Sequence, residues 1–308
     1  MAQGVHAMFE AVKSWGRWGS DDERGALNLI TPETVLAASR LVQRGEVVSC
    51  GRDLAIAPTI DDPRPPQHMM LIAGDHPEGS GLPGFQESVD FLGIACHGMG
   101  ISHIDALCHV FVDGLMYNGF AASEVRSVGA MRNSIAAAGN GIVGRGVLID
   151  IPRLRGTSWL EPTDVVSPDE LEAAIQMQHS DVLAGDIVIV NTGRDARRAA
   201  SGPWSVSELG LAGLAAECVR WFAERDVAVI ASDGISDPLP PRDPLGDWPF
   251  PIHQCCIAAM GVHLIDNLNL VDLAAACGRS NQWEFLFSVE ALRAPRATGS
   301  PVNPVAIL

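Results

Sequence analysis

The chain has 308 residues, of which 47% are hydrophobic and 19% charged, and its formal net charge is −16 at pH 7. That length allows one large domain or two of ordinary size. The negative charge and the 21 scattered lysines and arginines argue against nucleic acid and anionic membranes, which both bind basic patches. Apolar runs stay well below the about 18 residues of a transmembrane helix. We therefore expect a soluble globular protein whose partner is a small molecule.

The start of the chain and the cysteines predict a cytoplasmic protein. The first residues lack a basic start followed by a continuous apolar segment and a small-residue cleavage site, so export is not expected. The seven cysteines are odd in number and irregularly spaced. This pattern predicts reduced thiols rather than a disulfide framework.

A helix, a strand and a flap are the first predicted elements along the chain. Thr31 is a predicted N-cap and Pro32 the first residue of a helix that is expected to end at Gly45. A strand is expected in EVVSC, directly after that glycine. The Pro- and Gly-rich residues 57–85 then predict a long loop, which we interpret as a flap over a site.

The rest of the chain alternates strands with helices. Ser167 and Glu170 form a predicted capping box at the start of one helix. The remaining predictions are strands at 146–151, 186–193, 226–232 and 285–292, and helices at 207–225 and 252–261. This alternation predicts an α/β fold. Without an internal repeat or a charged linker, we expect one domain over residues 1–308, with an N-terminal arm over residues 1–30.

The stretch HGMGISHIDALCH (97–109) concentrates three histidines and one aspartate in thirteen residues. In an extended chain, four side chains would share one face: His97, His103, Asp105 and His109. A straight strand would separate His103 from His109 by roughly 20 Å, so the chain must bend after Asp105 if all are to bind one ion. Imidazole with carboxylate favours zinc, manganese or iron over calcium. A polar network without a metal is the alternative interpretation.

The segment SHIDALCH resembles the H-x-G-T-H-x-D-x-P-x-H signature of the putative cyclase family, which includes bacterial kynurenine formamidase and isatin hydrolase. Other segments look like longer members of that family, namely RWGSDDERGALNLITPETVLAASRLVQRGEVVS, DGLMYNG, GDIVIVNTGR and TGSPVNPVAIL. The resemblance implies a swivelling β/β/α single domain with a mixed β-sheet flanked by helices. It also implies a divalent metal, zinc or manganese, hydrolysis of an amide or cyclic amide, and a homodimer or homotetramer.

The same resemblance implies roles for individual residues of the motif. His103 and Asp105 stand at its metal ligands, and His109 stands at its last histidine, which binds a second metal in some members and transfers protons in others. The motif's first histidine falls on Met99, whose thioether is a weak ligand for a hard ion. His97 either takes over as a ligand or makes only an ordinary hydrogen bond.

A later segment, PIHQCCIAAMGVHLIDNLNL, resembles the second part of the family's site. His253 matches its histidine and is a candidate general base or ligand. Asp266 stands where glutamate is usual. Because aspartate is one methylene shorter, Asp266 is either a ligand or a group that lies just outside the ligands.

Two further features are candidate substrate contacts. Trp15 and Trp18 either stack on a planar substrate or anchor the N-terminal arm. Arg194, which follows a predicted strand, either binds a substrate carboxylate or forms a surface salt bridge.

These features favour a cytoplasmic, metal-dependent hydrolase that breaks a C–N bond in a small amide, including cyclic amides. His109 and His253 are the predicted catalytic histidines. One alternative is lactone hydrolysis, or a cyclase or dehydratase reaction, at the same site. A second alternative is a catalytically degenerate small-molecule binding protein, because the motif has lost its first histidine and its glutamate.

Overall fold

A computed structural model describes residues 4–75, 83–240 and 248–308 of the chain. Its α-helices are α1 (Val5–Val12), α2 (Pro32–Ser39), α3 (Ile151–Arg155), α4 (Pro168–Gln178), α5 (Arg194–Ser201), α6 (Val206–Leu209), α7 (Cys218–Glu224), α8 (Pro251–His253) and α9 (Val271–Ser280). A π-helix, Gln254–Met260, directly continues α8. The described helices include none that is long and apolar enough to cross a membrane.

The strands belong to one large sheet and three small pairs. Their bounds are β1 (Val47–Ser49), β2 (Gln67–Ile72), β3 (Val89–Gly93), β4 (His103–Asp105), β5 (Val125–Arg126), β6 (Gly129–Ala130), β7 (Ile142–Asp150), β8 (Val165–Val166), β9 (Ile187–Asn191), β10 (Gly213–Leu214), β11 (Val229–Ser232), β12 (His263–Asp266), β13 (Glu284–Val289), β14 (Gly299–Pro301) and β15 (Val305–Ile307).

The large sheet has the order β1-β15-β13-β7-β9-β11-β12-β4-β14. Its centre, β7, β9, β11 and β12, is parallel. The strands on both sides of that centre pair antiparallel. The small pairs are β2 with β3, β5 with β6 and β8 with β10. The predicted α/β fold with a mixed sheet flanked by helices is therefore confirmed.

Both faces of the central strands are buried. In β7, Val147 and Ile149 belong to one hydrophobic cluster and Leu148 to the other. In β9, Val188 and Ile189 divide between the two clusters in the same way. A parallel sheet that is covered on both faces needs apolar residues at successive positions, which explains the continuous apolar runs of these strands.

The predicted helix caps are present at Thr31 and Ser167, but the predicted end of α2 is wrong. Thr31 caps α2 and Ser167 caps α4 through reciprocal capping boxes. However, α2 ends at Ser39 rather than at Gly45. The backbone N–H of Arg44 donates to Leu308 O at 3.1 Å, so this segment runs toward the C-terminal strand instead of continuing the helix.

Two other elements differ from their predictions. The helix predicted over 207–225 is interrupted, because β10 pairs with β8 between α6 and α7. The region 57–85, predicted to be irregular, contains β2, which pairs antiparallel with β3 through contacts such as Met69 opposite Phe91. Residues 76–82 of the predicted flap lie outside the described residues. A covering role for the flap stays a prediction.

We predict that Gly261→Ala will destabilise the protein more than Gly45→Ala. Both glycines have left-handed φ angles, +68° and +66°. A Cβ at Gly261 would overlap the ring of Tyr117, whereas none of the described atoms lies within 4 Å of a Cβ at Gly45. We expect a loss of about 2–4 kcal/mol at Gly261, where overlap adds to backbone strain, and about 1–2 kcal/mol at Gly45. Urea unfolding measures both, and equal losses would contradict the prediction.

Candidate metal centre

The site is built on two paired strands at one end of the large sheet. His103 and Asp105 begin and end β4, and Asp266 ends β12. The two strands are antiparallel, with Asp266 opposite His103. Because directly opposed residues of paired strands project to the same face, His103 and Asp266 are neighbours there, and Asp105, two residues along β4, joins them.

The bend that the sequence required after Asp105 is present. The His109 N–H donates to Ala106 O at 2.9 Å, which closes a turn and brings His109 Nε2 to 4.0 Å from Asp105 Oδ1. His97, which precedes β4 in the chain, approaches the same oxygen, and its Nδ1 lies 2.9 Å from Asp105 Oδ1. The rings of His97 and His109 stack, with centroids 3.8 Å apart. The five predicted metal-binding residues are therefore brought together.

The carboxylate of Asp105 is the centre of this cluster. Asp105 is 1% exposed, and among the described residues none gives either of its oxygens an aligned hydrogen bond. Instead, His103 Nε2 lies 3.5 Å from Oδ1 and His253 Nε2 lies 3.6 Å from Oδ2. Two ligand atoms that are each about 2.0–2.2 Å from one ion are separated by roughly 3.0–4.4 Å. The distances from Asp105 to His103 and His253 therefore suit a shared cation better than direct hydrogen bonds.

Two overlapping groups of side chains could hold a metal ion. One is His97, Asp105 and His109, and the other is His103, Asp105 and Asp266, each with ligand atoms within 4.8 Å of one another. Asp105 belongs to both. This donor set fits one ion, or a pair of ions that share the Asp105 carboxylate. Asp266 Oδ1 is also buried without a hydrogen bond from the described residues, as expected of a ligand atom.

Hydrogen bonds at Nδ1 orient two of the imidazoles. The ring of His103 uses Nδ1 to donate to Ile101 O at 2.8 Å. The ring of His253 uses Nδ1 to donate to Asp237 Oδ2 at 2.6 Å. With Nδ1 fixed by these hydrogen bonds, each ring turns Nε2 toward Asp105. Such contacts fix the tautomer of metal-binding and catalytic histidines.

The electrostatics concentrate negative charge on Asp105. Burial raises the pKa of the Asp105 carboxyl. The neighbouring imidazoles, led by His97, lower this pKa by more than burial raises it, so the net pKa is below its ordinary value. Burial lowers the pKa of His97, but Asp105 outweighs burial and raises it to about 10. Burial lowers the pKa of His109 to about 4. The carboxylate thus attracts cations strongly, and His109 is neutral at neutral pH.

A cavity of about 400 Å³ opens onto the cluster. Its other walls are mostly apolar, from Met99, Val110, Phe111, Ile235 and Phe250. A cavity of this size with apolar walls and a few converging polar groups is typical of small-molecule sites.

The predicted contact of Trp15 and Trp18 with substrate is not supported. Both indoles line a separate cavity with Arg17 and Asp226, and neither borders the cavity over Asp105. The indole N–H of Trp15 donates to Ala258 O at 2.8 Å. The two rings pack on a hydrophobic cluster. The structure therefore favours the alternative, anchoring of the N-terminal arm.

The predicted role of Arg194 in binding substrate is also corrected. Its side chain is 3% exposed rather than at the surface. Its Nη1 donates to Asp233 O and Asn267 Oδ1, and its Nη2 donates to Met99 O at 2.8 Å. Both Nη atoms are engaged inside the protein and Arg194 does not border the cavity over Asp105, so the structure does not support the predicted bidentate contact with a substrate carboxylate.

The sequence did not predict the roles that three further side chains have at the site. Asp237 orients His253, Asn267 contacts the loop that precedes His103, and Thr298 Oγ1 lies 3.0 Å from His97 Nε2. Asp237 had a detectable signal, because it follows a strand at the carboxyl end of the parallel sheet, where sites are common. Thr298 lies far along the chain, and only the pairing of β14 with β4 brings it near.

The fold and the site define a mixed α/β protein with a buried His/Asp centre of the kind that binds metal. The family model described as "Putative cyclase" matches residues 53–237. A solved structure described as a novel cyclase is 30% identical, has a TM-score of 0.88, and the match covers 97% of this chain and 99% of that chain. The chain therefore belongs to the putative cyclase family.

More distant structures share the fold. Isatin hydrolase A from Ralstonia solanacearum is 19% identical with a TM-score of 0.59, and the match covers 90% of this chain and 97% of that chain. A potential metal-dependent hydrolase with cyclase activity is 15% identical with a TM-score of 0.50, and the match covers 85% and 98%. At these identities the likeness shows the fold alone. Among curated proteins, none matches the chain.

We predict that Asp105→Ala will abolish tight metal binding. The substitution removes the carboxylate that both groups of candidate ligands share. We expect zinc affinity to fall at least about 100-fold, because even residues outside the ligands often change it 10- to 100-fold. Competition with a chromophoric chelator measures the affinity. Asp90→Ala, at an exposed residue of β3 that pairs with His68, is the control and should bind zinc normally. Retention of the wild-type affinity by Asp105→Ala would refute the ligand assignment.

Proposed function

We propose that the protein is a metal-dependent hydrolase that breaks a C–N bond in a small amide, including cyclic amides, with zinc or manganese as its ion. The observation that carries this proposal is the buried carboxylate of Asp105, which four imidazoles approach without an aligned hydrogen bond from the described residues. Membership of the putative cyclase family supports it, as does the fold shared with isatin hydrolase.

The residues present suit such an ion. His103, Asp105 and Asp266 would hold one ion, and His97, Asp105 and His109 would hold an ion on the other side of the shared carboxylate. Nitrogen and carboxylate donors are those that zinc and manganese accept. When bound, a divalent ion supplies Lewis acidity, which makes water more acidic and polarises a carbonyl group.

The histidines near the cavity supply proton transfer. His109 borders the cavity and is held neutral by burial, so it can accept a proton from water. His253 also borders the cavity, and its Nε2 is directed inward by the bond from Nδ1 to Asp237. Burial lowers the pKa of His253, but Asp237 and Asp266 outweigh burial and raise that pKa well above its ordinary value, so the protonated ring is placed to give a proton to the leaving nitrogen. The apolar walls from Phe111 and Phe250 suit a flat, largely apolar substrate.

The donor set weakens the alternative of a degenerate binding protein. His97 reaches Asp105 although the motif's first histidine is replaced by Met99. Asp266 lies in one group of candidate ligand atoms with His103 and Asp105, although its side chain is shorter than that of glutamate. Lactone hydrolysis, or a cyclase or dehydratase reaction, would use the same groups. Assays with different substrates distinguish these reactions from amide hydrolysis.

We expect hydrolysis to depend on a removable metal and to prefer amides. The purified protein is treated with a chelator, reloaded with zinc or manganese, and assayed with isatin, N-formyl aromatic amines and matched lactones. Chelation should lower the rate at least about 100-fold and reloading should restore it, because the ion activates water. Faster hydrolysis of lactones would favour the first alternative. A metal-free protein that binds these compounds tightly without turnover would favour the binding protein.

We predict that Asp237→Asn will impair turnover much more than folding. The Asp237 carboxylate accepts hydrogen bonds from the backbone N–H groups of Ile252 and His253 and from His253 Nδ1. An amide in place of the carboxylate would remove a negative charge that raises the pKa of His253, so less of the ring would be protonated and able to donate. We expect kcat to fall about 100-fold or more, since proton transfer typically contributes 10²–10⁴-fold. Steady-state kinetics and thermal unfolding measure the two effects, and an unchanged kcat would exclude this role of Asp237.

We further propose a cytoplasmic location, supported by the buried, unbridged thiols of Cys50, Cys108, Cys218 and Cys277. The homodimer or homotetramer implied by the family stays a prediction, which light scattering would check.

A further inference from the structure

Arg194 carries a buried positive charge whose guanidinium contacts carbonyl and amide oxygens. Its Nη1 bonds Asn267 Oδ1 at 2.5 Å and Asp233 O at 3.2 Å, and its Nη2 bonds Met99 O at 2.8 Å. The Asp233 carboxylate accepts instead from the backbone N–H groups of Thr192 and Arg194 and from Thr192 Oγ1. Burying a charge is unfavourable unless the surroundings compensate it. The oxygens that compensate the guanidinium therefore indicate which parts of the chain it holds in place.

The side chain of Asn267 continues the contact. It is fully buried, and its Nδ2 donates to Gly98 O at 2.7 Å and to Ile101 O at 3.1 Å. Asn267 directly follows Asp266 and has a left-handed φ of +58°. That conformation turns the chain out of β12 and toward the loop between His97 and His103.

Three carbonyl groups of this loop are therefore held by side chains from elsewhere. Gly98 O and Ile101 O accept from Asn267, and Met99 O accepts from Arg194. Ile101 O also accepts from His103 Nδ1. A shift of this carbonyl would rotate the His103 ring, so Asn267 is linked to the orientation of His103 through a single oxygen atom.

We propose that Arg194 and Asn267 are positioning residues of the metal centre, which clamp the 98–101 loop so that His97 and His103 face Asp105. This inference rests on the proposed function. The clamp acts through the backbone of the loop, and neither side chain borders the cavity over Asp105. This role also explains why an arginine is buried near the metal centre without bordering the cavity.

The first test is Asn267→Gly, which removes the side chain and keeps the left-handed backbone accessible. The matched control is Asn281→Gly, at an exposed asparagine with φ +50° that ends α9. Zinc affinity is measured by chelator competition, the geometry of the site by the visible spectrum of bound Co²⁺, and the folding of the metal-free protein by thermal unfolding. We expect zinc affinity to fall about 10- to 100-fold and the cobalt bands to shift in Asn267→Gly, as for other residues that orient ligands. The control should bind within about twofold of wild type.

Arg194→Met is the second variant, in case Asn267→Gly does not fold. It keeps a long side chain and removes the donors that Arg194 gives to Met99 O and Asn267 Oδ1, while the longer bond from Arg52 Nη1 to Met99 O, 3.3 Å, stays. It should weaken zinc binding in the same direction. In the double variant the loss should be smaller than the product of the two single losses, because the residues share one hydrogen bond.

Wild-type zinc affinity and an unchanged cobalt spectrum in a folded variant would overturn the proposal, even if thermal stability falls, because a purely structural role predicts that result. If the wild-type protein binds neither zinc nor cobalt, the proposed function fails and this inference fails with it. The wild-type measurement therefore distinguishes the two failures.

Discussion

The structure depends on a carboxylate that is withdrawn from water and surrounded by imidazoles. A buried carboxylate normally needs several hydrogen-bond donors, because its desolvation is strongly unfavourable. Asp105 has nitrogen atoms around it at 2.9 to 4.0 Å, but the described residues give it no aligned hydrogen bond. A divalent cation would resolve this conflict, since it would displace the proton of His97 and bind the carboxylate and the imidazoles together. The rest of the scaffold can be understood as what holds these groups in contact.

The sheet supplies that support through its register. β4 lies between β12 and β14, so residues far apart in sequence meet beside Asp105. Gly299 in β14 lies opposite Asp105 in β4, and a Cβ at Gly299 would lie 2.8 Å from the His97 ring. Glycine at this position therefore leaves the room that the imidazole occupies. The apolar clusters on both faces of the central strands fix the register and thus the distances between ligands.

Local signals predicted much of this architecture, and the failures have tertiary causes. Thr31, Pro32 and the Ser167 capping box identified helix starts because capping is a short-range interaction. The parity and the bend of residues 97–109 likewise indicated the ligands. The end of α2 and the break over 207–225 depend on pairing with distant segments, such as β8, which no local pattern encodes. The roles of Arg194 and Asn267 were missed for the same reason, since they exist only in the folded register.

The replacement of the motif's first histidine by Met99 has two linked consequences. In our proposal His97 replaces the lost nitrogen, because its Nδ1 lies 2.9 Å from Asp105 Oδ1 although His97 is two residues earlier in the chain. Met99 meanwhile packs on the apolar cluster that contains Ile235 and forms part of the cavity wall. The position at which the signature has a histidine thus borders the cavity here. In this chain the change removes a nitrogen donor from this position and adds apolar surface to the cavity, and His97 is the neighbouring nitrogen that our proposal assigns as a ligand.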